Sequence, residues 1–351
     1  MLENESRGQT SDWLAAADQI TPIEPLKENS RGSKSEKSVE KSKSALNLSE
    51  FLTRRCPCCS SAKTISTSTI RAERLAERCT FDEIKEVWQH FFKKSTFFSY
   101  TRCASCGQLY CPVFFHQSQL VQLYGRMSDN TAHLPVEILS RTQRRYFDIF
   151  KRFKATTGTY LEFGPDIGLL TETAMRLGQF SKAHLIEPNV EVHPTLKQAV
   201  TGVSHQIYAD INAYRSLPNA SVDVIAMIHV LDHLLDPADI LRTLKKKLRP
   251  GGKIVIVTHD ESSLMARILG ARWPAYCLQH PQLYNPKSMA RCLESEGFKI
   301  LDVRKTYNYF PITYLIKHLL FAIGFKKVDL PDWYGFTLPL KLGNIATVAT
   351  L

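Results

Sequence analysis

From Tyr160 to the last residue, short apolar runs alternate with stretches of helical periodicity, and this alternation restricts the chain more than any other feature. The apolar runs are YLEF (160–163), AHLIEPN (183–189), SHQIYADI (204–211), SVDVIAMIHVLDHLLDP (221–237), GKIVIVTHD (252–260), FKILDVRKT (298–306) and GNIATVATL (343–351). The fourth has an acid near its start and then runs continuously apolar, as a strand buried on both faces does. Between the runs, LLTETAMRL (169–177) reads as helix, and PADILRTLKKKL (237–248) places Ile240, Leu244 and Leu248 on one stripe. Strands alternating with helices predict an α/β fold, a parallel sheet covered by helices on both faces. Ligands of such sheets sit at the carboxyl ends of the strands, beside the first strand-to-helix turn.

That turn is YLEFGPDIGLL, 160–170. Glycines there let a ligand approach the backbone at a helix N-terminus. The spacing is Gly-x-x-x-Gly (Gly164 and Gly168) rather than the Gly-x-Gly-x-x-Gly of dinucleotide sites. Glu162 and Asp166 put carboxylates where a pyrophosphate would lie, so the loop suits a ligand with a cationic centre. Glu187 follows Gly168 by 19 residues, at the end of the second strand, where an acid can accept from both hydroxyls of a ribose. Asp210 ends the third strand in the same way. An ordinary turn followed by exposed acids is the bland alternative, and the joint occurrence of the three signals weighs against it.

The chain has 351 residues, room for about two domains. Residues 1–47 are rich in Ser, Lys and Glu and poor in large apolar groups, so they read as a disordered tail without a secretory signal. The net charge of +11 is concentrated in 51–157, in pairs such as Arg54-Arg55, Lys93-Lys94, Arg144-Arg145 and Lys151-Arg152. A basic face of this kind can meet nucleic acid, a nucleotide-linked sugar or an anionic membrane surface, or be simply a solvated face. The most apolar segment, PITYLIKHLLFAIGF (311–325), is too short to span a bilayer and carries Lys317 and His318. It reads as a buried helix, a lid or an interfacial helix.

Nine cysteines are present, and five fall in two knots, CPCC (56–59) and CASCG (103–107). Two Cys-x-x-Cys pairs, Cys56/Cys59 and Cys103/Cys106, have the spacing that brings four thiolates onto one tetrahedral zinc. The expected cytoplasmic location favours metal over disulfides. Cys58 competes with Cys56 for the ligand role, Cys79 and Cys111 are spares, and Cys277 and Cys292 read as plain buried or surface thiols. A four-thiolate site is closed, so the zinc would be structural. The helical-looking run FDEIKEVWQHFFKK (81–94) lies between the knots.

LEFGPDIG, the Glu187 strand end, VDVIAMIHVLDHLLDP, LRPGGKIVIV and HPQLYNPKSMARCLESEGFKI together resemble the class I S-adenosylmethionine-dependent methyltransferases, over about 155–351. CPCC…YTRCASCGQLYCP and HQSQLVQLYGRM resemble the zinc-ribbon leader of a bacterial subgroup often tied to sugar, polysaccharide or natural-product methylation. The resemblance implies a seven-stranded, mostly parallel Rossmann-like sheet. It divides the chain into a tail (1–47), a zinc-ribbon-like module with a helical insertion (48–116), linker helices (117–157) and a methyltransferase domain (158–351) with a lid insertion at 307–342. It implies that Glu162, Gly164, Asp166 and Gly168 surround the methionine part of S-adenosylmethionine, that Glu187 holds the ribose and Asp210 the adenine amino group, and that Ile228 and His229 lie at the mouth of the site. The family's glycine loop usually has a middle glycine where this chain has Asp166.

A base is needed only if the acceptor is a hydroxyl or a carbon acid. His229, His233, Asp260, Tyr276 and His280 are candidates, and His280, in AYCLQHPQLY, is preferred. Zinc-ribbon sugar C-methyltransferases have a Glu-His pair and a further C-terminal domain, where this chain has Gln279-His280 and ends at the last sheet strand. The expected reaction is therefore O- or N-methylation of a small-molecule, sugar or glycan-like acceptor. The aromatics Tyr307, Tyr309, Phe310, Trp333 and Tyr334 are expected to shape its pocket. The rivals are an RNA methyltransferase using the basic region and a zinc-bearing scaffold without turnover.

Overall fold

The computed structural model describes residues 50–65, 68–88, 97–124, 134–322 and 335–351. The expected tail, the second half of the run 81–94, and Trp333 and Tyr334 lie outside them. Leu46–Leu351 form one compact unit.

The leader opens with strand β1 (Leu52–Thr53). Helix α1 (Phe81–Lys85) follows, started by a capping box in which Thr80 and Glu83 satisfy each other's end groups. Strands β2 (Thr101–Arg102), β3 (Leu109–Tyr110) and β4 (Val113–Phe114) come next, β1 pairing with β4 and β2 with β3. Helices α2 (Gln117–Tyr124) and α3 (Val136–Arg152) lead into the main sheet. That sheet is built from β5 (Thr157–Phe163), helix α4 (Leu169–Leu177), β6 (Gln179–Ile186), helix α5 (His193–Ala199), β7 (Ser204–Tyr208), β8 (Val222–Ile228), helix α6 (Pro237–Lys247) and β9 (Leu248–His259). After helix α7 (Leu264–Leu269) come β10 (Gln282–Leu283), α8 (Pro286–Ser295), β11 (Lys299–Lys305), β12 (Asn308–Pro311), α9 (Ile312–Ala322), β13 (Thr337–Leu340) and β14 (Asn344–Thr350).

The seven-stranded order is β11-β14-β9-β8-β5-β6-β7, parallel from β9 to β7, with β14 antiparallel to both its neighbours. Both faces are buried, because alternate residues of each strand belong to different layers. Leu161, Phe163, Ile225, Met227, Ile254 and Ile256 meet Leu241 and Leu244 of α6 and Met289 and Leu293 of α8. Tyr160, Ala183, Leu185, Val224, Val255 and Val257 meet Phe147 and Phe150 of α3, Leu170 and Ala174 of α4 and Leu196 of α5. Each such aliphatic side chain contributes about 1.5–3 kcal/mol. The inward stripe of α6 is Leu241 and Leu244 with Leu248 beyond it, whereas Ile240 is only partly buried. Leu244 and Leu248 are buried as expected, Ile240 packs at the edge of the same cluster, and Leu241 joins them.

The leader and the main sheet share a core. Strand β10 pairs antiparallel with β3, making a three-stranded sheet across the expected boundary at 116. Phe51, Trp88, Phe98, Phe114 and Phe115 pack in one apolar cluster with Trp273, Tyr276, Leu278 and Leu283. Within the expected insertion, β12 and β13 form an antiparallel pair that rests on α3, where Tyr309 N–H donates to Thr142 Oγ1 (3.0 Å) and the Arg141 guanidinium lies 4.5 Å over the Tyr309 ring.

Candidate active site

The chain runs outward from β5 to β7 and then returns to β8 on the other side of β5, so the strand order reverses between β5 and β8. Such a reversal opens a crevice at the strands' carboxyl ends. Three residues of the loop after β5 have left-handed backbones: Gly164 (φ +58°), Asp166 (+53°) and Gly168 (+85°). A Cβ on Gly164 would come within 2.8 Å of Val230 Cγ2, and one on Gly168 within 2.8 Å of Leu196 Cδ1 and Ala199 Cβ. The left-handed φ at position 166 explains why a glycine is usual there. Asp is one of the few L-residues that visit this region readily, so the unusual residue keeps the loop's shape.

Glu187 lies just past β6 and is buried. Its Oε2 accepts from the Asp166 N–H (2.9 Å) and its Oε1 from the Asn189 N–H (2.8 Å). Burial raises its pKa, and these two N–H groups oppose the rise. Each carboxylate oxygen retains a second lone pair, so the pair can accept from two adjacent hydroxyls. Glu162 is buried in β5, and both the Tyr160 hydroxyl (2.8 Å) and the Thr171 hydroxyl (2.6 Å) donate to its Oε2. Desolvation pushes its pKa up to about 7. Asp210 stands exposed beyond β7, its Oδ1 accepting from the Asn212 N–H (2.9 Å). Acids at the ends of three neighbouring strands, beside a left-handed loop, fit the hydroxyls and cationic centre of S-adenosylmethionine.

Ile228 is the last residue of β8, and His229 follows with φ +53°. The His229 ring lies among other side chains. It packs at a tilt against His259 with centroids 4.7 Å apart, and its Nε2 lies 3.3 Å from Asn344 Nδ2 and 3.4 Å from the Tyr146 hydroxyl. His259 ends β9 and packs 4.7 Å from His280, which lies 4.6 Å from His233. Four imidazoles thus surround Asp232, whose carboxylate is fully buried. Its Oδ2 accepts from His259 Nδ1 at 2.7 Å. Burial alone would raise the pKa of Asp232, but the His259 hydrogen bond and the surrounding imidazoles hold it well below the usual carboxylate range.

The imidazoles differ. Burial lowers His229 and His233 to about 3, so both are neutral. Burial also lowers His259, against the pull of Asp232. Burial opposes the charged form of His280 too, but Cys277, Asp232 and the Ala275 carbonyl outweigh it and raise His280 to about 9. The His280 Nδ1 is 2.7 Å from the Ala275 carbonyl and 3.3 Å from Cys277 Sγ, so Cys277 is not the plain thiol expected. Asp260 Oδ1 accepts from the Ser262 N–H (2.9 Å) and hydroxyl (2.6 Å). Tyr276 packs between Trp273 and Tyr100. The Asp232–His259 pair escaped the sequence reading. Its signal was available, since VTHD ends a buried strand next to the switch point.

The two cysteine knots converge. Cys56 Sγ is 3.5 Å from Cys106 Sγ and Cys59 Sγ is 3.6 Å from Cys103 Sγ, and all four lie within 4.8 Å of one another. A tetrahedron with metal–sulfur bonds of about 2.3 Å has edges of about 3.8 Å, so the four residues fit a zinc ion. The competition between Cys56 and Cys58 resolves in favour of Cys56, since Cys58 Sγ points to Gln108 Oε1 (3.4 Å).

Residues 138–303 match the family described as "Methyltransferase domain". The chain is 26% identical over 193 residues to a ubiquinone biosynthesis O-methyltransferase of Aeromonas salmonicida, covering 51% of this chain and 76% of the relative. It is also 26% identical over 204 residues to one of Xanthomonas axonopodis pv. citri, covering 54% and 83%. Among solved structures, an S-adenosylmethionine-dependent methyltransferase from Mesorhizobium loti superposes with a TM-score of 0.41 at 16% identity, covering 59% of this chain and 98% of that one. The matched methyltransferase domain and the relatives named as methyltransferases support an S-adenosylmethionine-dependent enzyme, carried on an α/β sheet. No helix among the described residues is long and apolar enough to cross a membrane.

Proposed function

We propose that the enzyme methylates a hydroxyl oxygen on an aromatic ring, with His259 as the base and Asp232 as its orienting acid. The observation that carries this reading is the 2.7 Å bond from His259 Nδ1 to the buried Asp232 carboxylate. Donation from Nδ1 leaves Nε2 as the acceptor, and the His259 side chain is 27% exposed, so a substrate proton can reach it. His280, preferred from sequence, holds its own proton near neutral pH and serves better as a donor beside the site than as the base. Val230 rests on Gly164, so the turn 229–233 touches the cofactor loop on one side and carries Asp232 on the other.

The bound sulfonium supplies an already activated methyl group. The residues Glu162, Glu187 and Asp210 would hold it, and the chain's remaining tasks are alignment and removal of one proton. A neutral imidazole is a weak base, so it suits a phenol with pKa about 10 far better than an aliphatic hydroxyl. Trp273, 6.2 Å from the His259 ring, offers an aromatic wall. The printed names of the relatives, O-methyltransferases, support oxygen as the acceptor atom. The four-cysteine cluster is proposed to hold one structural zinc.

The test is transfer of labelled methyl from S-adenosylmethionine to a panel of phenols and catechols, set beside nucleotide sugars, glycans and RNA. Labelling of a phenol that His259→Ala and Asp232→Asn both suppress is expected. Labelling confined to sugars, glycans or RNA overturns the acceptor class. One specific observation favours a second reading of the same pair. Asp232 Oδ1 and His229 Nδ1 are both buried without a partner, and the ligand atoms of His229, Asp232 and His259 lie within 4.8 Å of one another, as do those of Asp232, His233 and His280. A divalent ion there would polarise the hydroxyl instead. Metal content above one equivalent per chain, lost in Asp232→Asn, would favour it.

A further inference from the structure

Arg54 follows β1 in the leader and is 9% exposed. Its Nη2 donates to the Leu235 carbonyl (2.7 Å) and to Gln282 Oε1 (2.9 Å), and its Nη1 to the Pro281 carbonyl (3.1 Å) and, at greater length, to the Cys111 carbonyl (3.5 Å). The Gln282 amide in turn donates to the carbonyls of Leu231 (3.0 Å) and Leu234 (2.6 Å). Among the described residues no carboxylate makes an ion pair with Arg54. A guanidinium buried on neutral acceptors is costly, and an apolar side chain could fill the same space with less penalty. What the guanidinium holds is therefore the informative part.

It holds two segments. Residues 231–235 carry Asp232 and His233, and residues 280–282 begin with His280. Two tyrosines of the leader reinforce the same segments: the Tyr100 hydroxyl donates to the His280 carbonyl (2.7 Å), and the Tyr124 hydroxyl lies 2.8 Å from His233 Nδ1. Each of the two histidines is thus anchored by the leader at one end and packed against its neighbours at the other.

We infer that Arg54 is a positioning residue for methyl transfer: its forked guanidinium clamps the turn after β8 to the segment before β10, and so sets the spacing of His233 and His280 around the Asp232–His259 pair. The inference rests on reading the histidine cluster as the acceptor side of the site. A planar fork with five donors can address both segments at once, whereas a lysine ammonium cannot. Glu162 and Glu187 of the cofactor crevice take their hydrogen bonds from β5, α4 and the loops after β5 and β6, and none from Arg54.

The test compares zinc-loaded full-length protein with Arg54→Lys, Arg54→Met and the near-isosteric Tyr124→Phe. Three readouts are used: titration with S-adenosylhomocysteine, imidazole signals by nitrogen-15 NMR, and turnover of a phenol from the panel above. Expected are cofactor-product affinity within about threefold of wild type in all three variants and displaced His233 and His280 signals in both Arg54 variants. Tyr124→Phe should displace His233 more than His280, since its hydroxyl lies 2.8 Å from His233 Nδ1 and 3.4 Å from the Gln279 carbonyl. Turnover should fall at least tenfold in kcat in the Arg54 variants without a change in the KM for cofactor, and the lysine should not rescue it. Unmoved imidazole signals in a folded Arg54→Met, or full rescue by lysine, would overturn the inference. Should Arg54→Met fail to fold, Arg54→Lys and Tyr124→Phe decide it by the same signals. The NMR readout needs no acceptor, so displaced signals support the clamp even where no phenol is methylated, and that result would count against the acceptor class alone.

Discussion

The cofactor crevice and the histidine cluster lie at the same end of one sheet but are built differently. The crevice is local: Glu162, Gly164, Asp166, Gly168 and Glu187 fall within 26 residues of sequence, and the key carboxylate is held by the backbone N–H groups of Asp166 and Asn189. The cluster is assembled from the ends of β8 and β9, the segment before β10 and a brace from the leader. Backbone donors hold an acid wherever the strand ends, so the first region needs little from elsewhere. A buried charge among imidazoles needs partners on every side, so the second exists only when distant segments have met.

The two regions should therefore fail separately. The largest effects come from their central residues. Glu187→Ala is expected to weaken S-adenosylhomocysteine binding about 100-fold or more by calorimetry, the loss of two charge-assisted hydrogen bonds. His259→Ala is expected to leave that affinity unchanged and to lower kcat about 10²–10⁴-fold. Loss of cofactor affinity in His259→Ala would break the comparison. The pH dependence sharpens it: the acid limb of kcat should lie below the ordinary histidine value of 6.5, because burial lowers His259, and the limb should vanish in His259→Ala.

A smaller effect concerns Glu162. Its folded pKa of about 7 lies above its ordinary 4.5. The native state therefore binds a proton that the unfolded state releases, and stability falls as pH rises from about 4.5 to 7. Glu162→Gln removes that cost. Thermal unfolding of the ligand-free variant should show a gain over wild type of up to about 3 kcal/mol above pH 7, shrinking toward zero below pH 4.5. Cofactor affinity should fall in the same variant, since stability here is traded for an acid in the site. A gain independent of pH would show that Glu162 is not the titrating group.

The smallest effect is expected at Asp166. The bond to Glu187 comes from its backbone, and its backbone is already left-handed. Asp166→Gly should change stability by no more than about 1 kcal/mol and cofactor affinity by no more than about threefold. A tenfold loss would mean that the Asp166 carboxylate itself engages the ligand.

Much of the crevice was legible in the chain because its signals are short-range. The Gly164–Gly168 spacing, the acid 19 residues beyond it and the apolar runs report local backbone needs and burial, and each of the seven runs holds a strand of the main sheet, although that of 221–237 stops at Ile228 and that of 252–260 begins at Leu248. The paired Cys-x-x-Cys knots were legible for the same reason, since four thiolates at that spacing have few other uses. The end of α6 was placed one residue late because helix and strand meet at Leu248, and periodicity does not mark where one ends.

What the sequence by itself determined is the order of strands and helices, the position of the glycine loop after the first strand of the main sheet and the two cysteine pairs. Tertiary structure alone decided which of several histidines is paired with an acid, that His229 turns toward His259, and that Arg54 of the leader reaches the turn after β8 181 residues away. The physical reason is that a histidine's protonation and a buried arginine's partners are set by the groups surrounding them in space. Those neighbours come from segments whose separation along the chain carries no local signal.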